Sequence, residues 1–258
     1  MKSYVIFKVL ERLYGIDIEC VKRILPSQSL TEVPDEESHI EGMFQYEDAV
    51  LKVLSFRNVI EEKSYEKQLL EMFPGFKVQH KEWLDALQES VDKGVPFTKT
   101  TDPHDCDLGK WIGSFHPDDK EVIETIKGLD YHHQRLHRSA IDLLERRDRD
   151  SDLVKQQLEE NMEGIYKDTL QHLDNVSDVS DKIAVTLQRC LILVGKDEKA
   201  FGMNIDAVED IIHVEERELH EVKETQHMGE FMNVSAILEH KGKLITIVKD
   251  ITINKRSA

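Results

Sequence analysis

The feature that most constrains the fold of this 258-residue chain is a motif that occurs twice, once near each end. The first copy spans residues 14–25 and the second spans residues 201–212. Both copies read aromatic-Gly-apolar-(Asp/Asn)-Ile-x-x-Val-x-x-Ile, and a run typical of a β-strand precedes each copy, at residues 4–10 and 190–194. An internal repeat of this kind predicts two related supersecondary units that pack around related cores.

The sequence between the two copies has a different character. Strand signals stop near Ile60 and resume near Leu187, and the intervening sequence is charged and has helical periodicity. Helices are predicted at residues 65–73, 80–91, 120–126 and 131–146, and within a long stretch at residues 152–185. The turn formers Pro74-Gly75, Gly94-Val95-Pro96 and Pro103 predict helix ends. The simplest interpretation is a helical bundle inserted into a duplicated β domain, at a junction where few backbone hydrogen bonds are disturbed.

The repeated motif resembles the CheW-like domain, the coupling module of bacterial chemotaxis arrays. Val33-Pro34, followed by His-Ile-Glu-Gly at residues 39–42, also resembles that family's Val-Pro…Gly segment. The resemblance covers roughly residues 1–62 and 186–258 and implies an α+β fold with two small β-barrel subdomains, interrupted by the helical insert at residues 66–182. It also implies binding to a chemoreceptor, a CheA-type histidine kinase or another signalling protein.

One position departs from the CheW-like pattern. Members of that family generally carry an Arg-Gly pair on the loop after the residue that matches Gly42, and the pair contributes to receptor and kinase contacts. Here the loop carries Glu47-Asp48 instead. Because reversing a charge at the rim of an interface changes the choice of partner, the departure leaves the partner open. The fold prediction stands, since the apolar strand residues are retained.

The insert contains one cysteine and three histidines in a pattern typical of metal ligands. His133 and His137 are four residues apart in a predicted helix, so both side chains lie on one face. Together with His80 and Cys106 they offer one thiolate and three imidazoles. These are the N and S donors that fill a tetrahedral zinc shell and leave no position open.

This set of residues resembles the chemoreceptor zinc-binding (CZB) domain. That family's pattern is an early His, a Cys-x-Leu-Gly-Lys-Trp segment, present here as residues 106–111, and a His-x-x-x-His. The resemblance covers roughly residues 66–182 and implies one Zn²⁺ held by the same four residues. It further implies redox sensing at Cys106, a response to zinc itself or to oxidants such as hypochlorous acid, and homodimer formation through the bundle.

Four residues close to Cys106 are assigned supporting roles. Gly109 predicts tight packing or a positive φ angle, and Trp111 predicts a large apolar anchor for the loop beside the metal. Asp107 and Asp105 are candidates for a hydrogen bond that orients a ligating imidazole.

Two other histidines lie near the predicted ligands. His132 has Leu136 at its i+4 position, so it lacks the paired arrangement and is expected to face solvent or a ligand. His104 lies two residues before Cys106 and is expected not to be a ligand.

Composition and the remaining cysteines exclude several classes of protein. The net charge of −17, with 51 acidic and 34 basic residues, repels phosphate backbones and argues against nucleic-acid binding. The sequence shows no apolar run long enough to cross a bilayer and no signal segment, so a cytoplasmic protein is expected. Cys20 and Cys190 lie in apolar patterns and are expected to be buried small hydrophobes.

An enzyme is not expected. A zinc hydrolase keeps one coordination position for water, often beside a glutamate base, whereas His133-Gln-Arg-Leu-His137 has no Glu and Cys106 fills the shell. Two functions remain open. The first is an adaptor that senses oxidant or zinc and modulates a signalling complex, and the second is a constitutive adaptor with a purely structural zinc module.

Overall fold

The computed structural model describes residues 1–33, 39–114, 117–147, 151–195, 199–222, 227–228 and 232–251, so Pro34 of the Val-Pro pair lies outside the described part. The chain is a mixed α+β protein with two compact units. The β-rich unit consists of Met1–Tyr65 and Ala184–Ala258, and the helical unit consists of Glu66–Ile183.

The β-rich unit contains two sheets. Its described strands are β1 (Lys2–Val9), β2 (Arg12–Asp17), β3 (Val21–Pro26), β4 (Ile40–Tyr46), β5 (Ala49–Ser55), β6 (Arg189–Val194), β7 (Ala200–Ile205), β8 (Ala207–Val214), β9 (Leu219–Glu221), β10 (His227–Met228), β11 (Met232–His240) and β12 (Lys243–Ile251). The short helix α1 (Phe56–Val59) follows β5. The larger sheet has the order β10-β11-β12-β2-β1-β8, with β9 also paired to β11, and the smaller sheet has the order β3-β6-β7-β5-β4.

Each sheet takes strands from both ends of the chain. β3, the last strand of the first repeat, leaves β1 and β2 and pairs with β6, while β8, the last strand of the second repeat, leaves β6 and β7 and pairs with β1. In the same reciprocal way, β5 pairs in parallel with β7 and β12 pairs in parallel with β2. Consequently, neither the segment before the helical unit nor the segment after it can complete a sheet alone.

Side chains from both sheets share one apolar core. Phe7 stacks on Tyr14 with 5.6 Å between ring centroids, and Phe56 lies edge-on to both rings at 5.0 and 4.7 Å. Leu193 and Met203 of the smaller sheet belong to the same buried cluster. The core therefore also joins the two segments of the unit.

The predicted closure of the sheets into β-barrels is not confirmed. Among the described residues, the ladders of the smaller sheet leave β3 and β4 at its edges. Thr31 makes an isolated bridge to Met43 of β4, with N–O distances of 2.8 and 2.9 Å. β3 ends at Pro26, and Thr31 is the residue after it that pairs with β4. In the described part of the chain, no continuous ladder therefore joins β3 to β4 and closes this sheet.

The helical unit is built from helices of 7 to 29 residues. They are α2 (Tyr65–Lys93), α3 (Asp107–Gly113), α4 (Lys120–Arg146), α5 (Ser151–Asn161), α6 (Lys167–Asp178) and α7 (Ser180–Leu187), with a π-helical turn at Met162–Tyr166. The helix end predicted at Pro74-Gly75 is wrong, because α2 runs through both residues. The missing N–H of proline costs one helical hydrogen bond, but Leu69, Phe73 and Phe76 bury this face of α2 and offset that loss. None of the helices in the described part of the chain has the length and apolar character of a membrane span.

A buried ion pair ties the first segment of the β-rich unit to the second. The side chain of Arg57 is 2% exposed, and its Nε and Nη2 donate to the two carboxylate oxygens of Asp206 at 2.7 and 2.6 Å. The Leu10 amide donates to the same carboxylate at 2.7 Å. The guanidinium also donates to the Lys63 carbonyl at 3.2 Å and lies 4.5 Å over the ring of Tyr65. Because Tyr65 is the first residue of α2, this cluster anchors the start of that helix.

The reciprocal strand pairing between the two segments of the β-rich unit predicts that they fold together without the helical unit. A variant in which a short flexible linker replaces residues 66–182 should be soluble and β-rich by circular dichroism, because every described strand lies outside the deleted part. Residues 1–65 produced alone serve as the control and should be unfolded, since they lack β6, β7 and β8. An aggregated deletion variant without a β signature would contradict the insertion hypothesis.

Candidate metal centre

Helices α2, α3 and α4 bring the four predicted ligands to one point. His80 lies in α2, Cys106 is the N-cap of α3, and His133 and His137 lie one turn apart in α4. One donor atom from each residue lies within 4.8 Å of all the others. The three histidines are at most 3% exposed, and the Cys106 sulfur is 3.2 Å from Nε2 of His133.

Ring nitrogens of these histidines lack hydrogen-bond partners within the described part of the structure. Nε2 of His80, Nδ1 of His133 and both nitrogens of His137 are buried without a partner. Leaving such an atom unpaired costs about 1–3 kcal/mol. A metal ion accepts the lone pair of one nitrogen from each imidazole, so a bound ion would remove this cost at Nε2 of His80 and at one nitrogen of His137. One sulfur and three nitrogens are the donor set of a closed zinc site, and the residues therefore fit zinc.

The backbone fixes the orientation of His80. Its Nδ1 is 2.8 Å from the Phe76 carbonyl oxygen, which can only accept, so Nδ1 carries the proton and Nε2 offers its lone pair to the centre. No sequence pattern marks this contact, because the acceptor is a main-chain carbonyl. Asp105 and Asp107 are the carboxylates that the sequence offered for orienting an imidazole. Asp105 is exposed, and Asp107 accepts a hydrogen bond from Gln79 at 2.8 Å.

Burial holds the three imidazoles in the neutral form. It lowers the pKa of His80, although the bond to the Phe76 carbonyl opposes this effect. Burial, together with the neighbouring imidazoles, lowers the pKa of His133 to about 2 and that of His137 to about 4. Neutral imidazole is the form that binds a metal, so the histidines release no proton when they bind one at neutral pH.

The surroundings of Cys106 favour a thiol over a thiolate. Burial raises the pKa of Cys106, whereas the amides of Gly109 and Leu108 oppose that shift by donating to the sulfur. The Gly109 amide lies 3.3 Å from Sγ, and the Pro103 carbonyl oxygen lies at the same distance. Zinc coordination deprotonates a thiol outright, so thiolate character at Cys106 depends on the metal.

A close backbone contact shapes the loop around the cysteine. A Cβ atom on residue 109 would lie 1.8 Å from the Pro103 carbonyl oxygen and 3.0 Å from Cα of His104, so only glycine fits there. Gly109 has no positive φ angle, and close packing is therefore the reason for glycine at this position. Trp111 lies against Phe73 in α2, with 5.4 Å between the ring centroids.

The two neighbouring histidines are outside the four-donor group. His104 is exposed in the turn before Cys106. His132 faces α6 rather than solvent: its ring stacks on His172 at 4.2 Å, and its Nδ1 is 3.8 Å from an oxygen of Asp168.

Trp83 covers one side of the centre. It lies one turn after His80, and its ring centroid is 4.8 Å from that of His137. Its indole N–H donates to the Thr100 carbonyl at 2.7 Å, which ties the loop before Cys106 to α2. The position of Trp83 in the sequence, three residues after His80, does not reveal its contact with His137.

Two family models match this chain. The CheW-like domain matches residues 3–73, and the chemoreceptor zinc-binding domain matches residues 80–144, a range that includes all four donor residues. The chain therefore combines a CheW-like domain with a CZB domain. Both resemblances seen in the sequence are confirmed, and together they indicate a chemotaxis-type adaptor with a zinc-binding module.

Solved structures include one CheW scaffold that is similar to this chain. It is the scaffolding protein TtCheW from Thermoanaerobacter tengcongensis, which is 13% identical, with a TM-score of 0.46 over 98% of this chain and 91% of that chain. The assignment depends on the family matches. No curated protein matches the chain significantly.

The CZB geometry predicts which histidines the metal needs. The purified protein should contain about one zinc per chain. Replacing His133 or His137 with Ala should weaken zinc binding by more than the about 10–100-fold typical of a lost outer contact, because each change removes a donor. Metal analysis after dialysis against a chelator measures the effect.

His104→Ala is the matched control, since it removes an exposed imidazole close to Cys106, and this variant should retain zinc. Full zinc occupancy in both the His133→Ala and the His137→Ala proteins would contradict the ligand assignment.

Proposed function

We propose that this protein is a chemotaxis-type adaptor whose Cys106-centred zinc site senses an oxidant such as hypochlorous acid, or zinc itself, and thereby changes the assembly of a signalling complex. The proposal rests on one observation: a single sulfur lies among three buried imidazoles with unpaired nitrogens, in a domain of a zinc-binding family. His80, Cys106, His133 and His137 would hold the ion. Four protein donors complete the shell, which supports a sensing or structural role over hydrolysis.

The environments of the three cysteines support selective oxidation of Cys106. Cys190 is 1% exposed, and burial raises its pKa to about 12. Burial, with Asp17 nearby, also raises the pKa of the half-buried Cys20 thiol, and the group of potential metal ligands found among the described residues does not include it. Since thiolate is the form that oxidants attack, a metal-bound Cys106 would be the most reactive of the three.

The chemistry proposed at Cys106 is a two-electron oxidation of sulfur. A bound zinc ion keeps the sulfur as thiolate. The sulfur donates an electron pair to the chlorine of hypochlorous acid, an S–Cl bond forms, and hydroxide leaves. Water then displaces chloride, so thiolate and hypochlorous acid give sulfenic acid and chloride overall. Sulfur is oxidised by two electrons, and chlorine is reduced by two.

Oxidation would disturb the local structure because Cys106 is also the N-cap of α3. Its sulfur accepts the Gly109 amide at 3.3 Å and lies next to His133, so an added oxygen atom has to displace one of these neighbours. The loop before Cys106 is packed closely on Gly109 and cannot adjust freely. We therefore expect α3 and the loop before it to loosen together.

The CheW-like part would supply the partner contact. We propose that residues 1–62 and 186–258 form one CheW-like domain that binds a chemoreceptor or a CheA-type kinase, with a homodimer formed through the bundle at residues 66–182. Glu47-Asp48 forms the turn between β4 and β5, where both side chains are exposed and Glu47 lies 3.9 Å from Arg23. An acidic turn favours a partner with a complementary basic surface. The CheW-like match also supports a cytoplasmic location.

A second function, a constitutive adaptor with structural zinc, is favoured by one observation. The three imidazoles are buried in the helical core, where metal binding contributes directly to folding. The two functions differ in their response to oxidant, because only the sensor changes its zinc occupancy under mild treatment.

The sensing function predicts the order in which the thiols react. With substoichiometric hypochlorous acid, the zinc-loaded protein should be modified first at Cys106 and should release zinc in proportion. Mass-spectrometric mapping of the three cysteines, combined with a zinc-binding dye, measures both quantities. Cys106→Ser is the control and should show no oxidant-dependent zinc release.

Modification of Cys20 or Cys190 ahead of Cys106 would overturn the sensing function. Oxidation of Cys106 with zinc fully retained would favour the structural role instead.

A further inference from the structure

The helix that carries His80 contains a weak point less than two turns before that residue. Pro74 has no N–H to donate to the Leu70 carbonyl. Gly75 follows, and no atom lies within 4 Å of the position that a Cβ would take there. Proline and glycine in a helix interior are sites where helices bend. The sequence predicts a helix end at these two residues, whereas α2 continues through both of them.

Aromatic contacts span this weak point. Phe73 lies before it and Phe76 after it, and both are nearly fully buried. Both rings contact Trp111, with centroid distances of 5.4 and 6.0 Å. Trp111 belongs to α3, the seven-residue helix whose N-cap is Cys106. One short helix therefore positions both the sulfur and the ring that braces α2.

The parts of α2 before and after the weak point are held by different groups. Its first residue, Tyr65, lies under the guanidinium of Arg57, which is fixed by its two hydrogen bonds to Asp206. Beyond the weak point, His80 belongs to the four-donor group. A bend at residues 74–75 would therefore fall between these two held parts of α2.

We propose that Pro74 and Gly75 form a hinge in α2, which Trp111 holds closed for as long as Cys106 keeps its place in the metal centre. When Cys106 leaves that place, α3 loosens, Trp111 separates from Phe73 and Phe76, and α2 bends at the hinge. This inference rests on the proposed function, because it takes a change at Cys106 as the trigger. It gives a path by which that change reaches the first turns of α2.

Hydrogen exchange of the full-length, zinc-loaded protein tests the hinge. Substoichiometric hypochlorous acid should raise exchange at residues 100–112 and also at residues 70–79. Gly75→Ala should slow exchange at residues 70–79 of the oxidised protein by about fivefold, because alanine stiffens a helix interior and its Cβ fits here. Gly164→Ala makes the same chemical change at another open position and should leave residues 70–79 as in the wild type.

A second variant tests the aromatic brace without an oxidant. Phe73→Leu keeps an apolar side chain but removes the ring contact with Trp111, so exchange at residues 70–79 should be raised before any oxidation. If oxidation alters neither segment, the sensing function fails, and the Phe73→Leu comparison still decides the hinge. If residues 100–112 respond while residues 70–79 do not, or if Phe73→Leu exchanges like the wild type, the hinge is overturned and the sensing function stands.

Discussion

Three imidazoles buried side by side are the constraint on which the helical unit depends. His80, His133 and His137 place ring nitrogens without partners in the core, at about 1–3 kcal/mol for each unpaired atom. A bound metal ion would remove that cost at the nitrogens that it coordinates, so metal affinity and the stability of this unit are linked. Oxidation of the Cys106 sulfur would therefore change both quantities, because this sulfur is the one donor of the set that an oxidant converts readily to another species.

In the β-rich unit, both chain segments contribute strands to both sheets, rather than forming one sheet each. β3 pairs with β6 and β8 pairs with β1, and the Arg57–Asp206 pair adds a buried bond between the segments. An insertion between such segments is tolerated, because the pairing partners of every described strand lie outside the insert. The insert also has two covalent connections to the β-rich unit, which is held together independently of the metal.

The sequence predicted the clustering of His80, Cys106, His133 and His137 better than it predicted the helices around them. Helix geometry places His133 and His137, which are four residues apart, on one face of α4. The Cys-x-Leu-Gly-Lys-Trp segment marked Cys106 as a candidate ligand. The continuity of α2 through Pro74 was not predictable, because buried contacts of Phe73 and Phe76 outweigh a local helix breaker. The contact of His80 with the Phe76 carbonyl had no sequence signal at all. Barrel closure depends on the path of the chain between Pro26 and Thr31, which strand patterns do not specify.

We propose that one thiolate and three imidazoles from α2, α3 and α4 form a closed zinc shell. X-ray absorption at the zinc K-edge of the full-length protein identifies the donor atoms and their distances. A closed shell gives one sulfur at about 2.3 Å and three nitrogens at about 2.0–2.1 Å, with no oxygen ligand. A shell without sulfur, or one with a water oxygen in the fourth position, would contradict it.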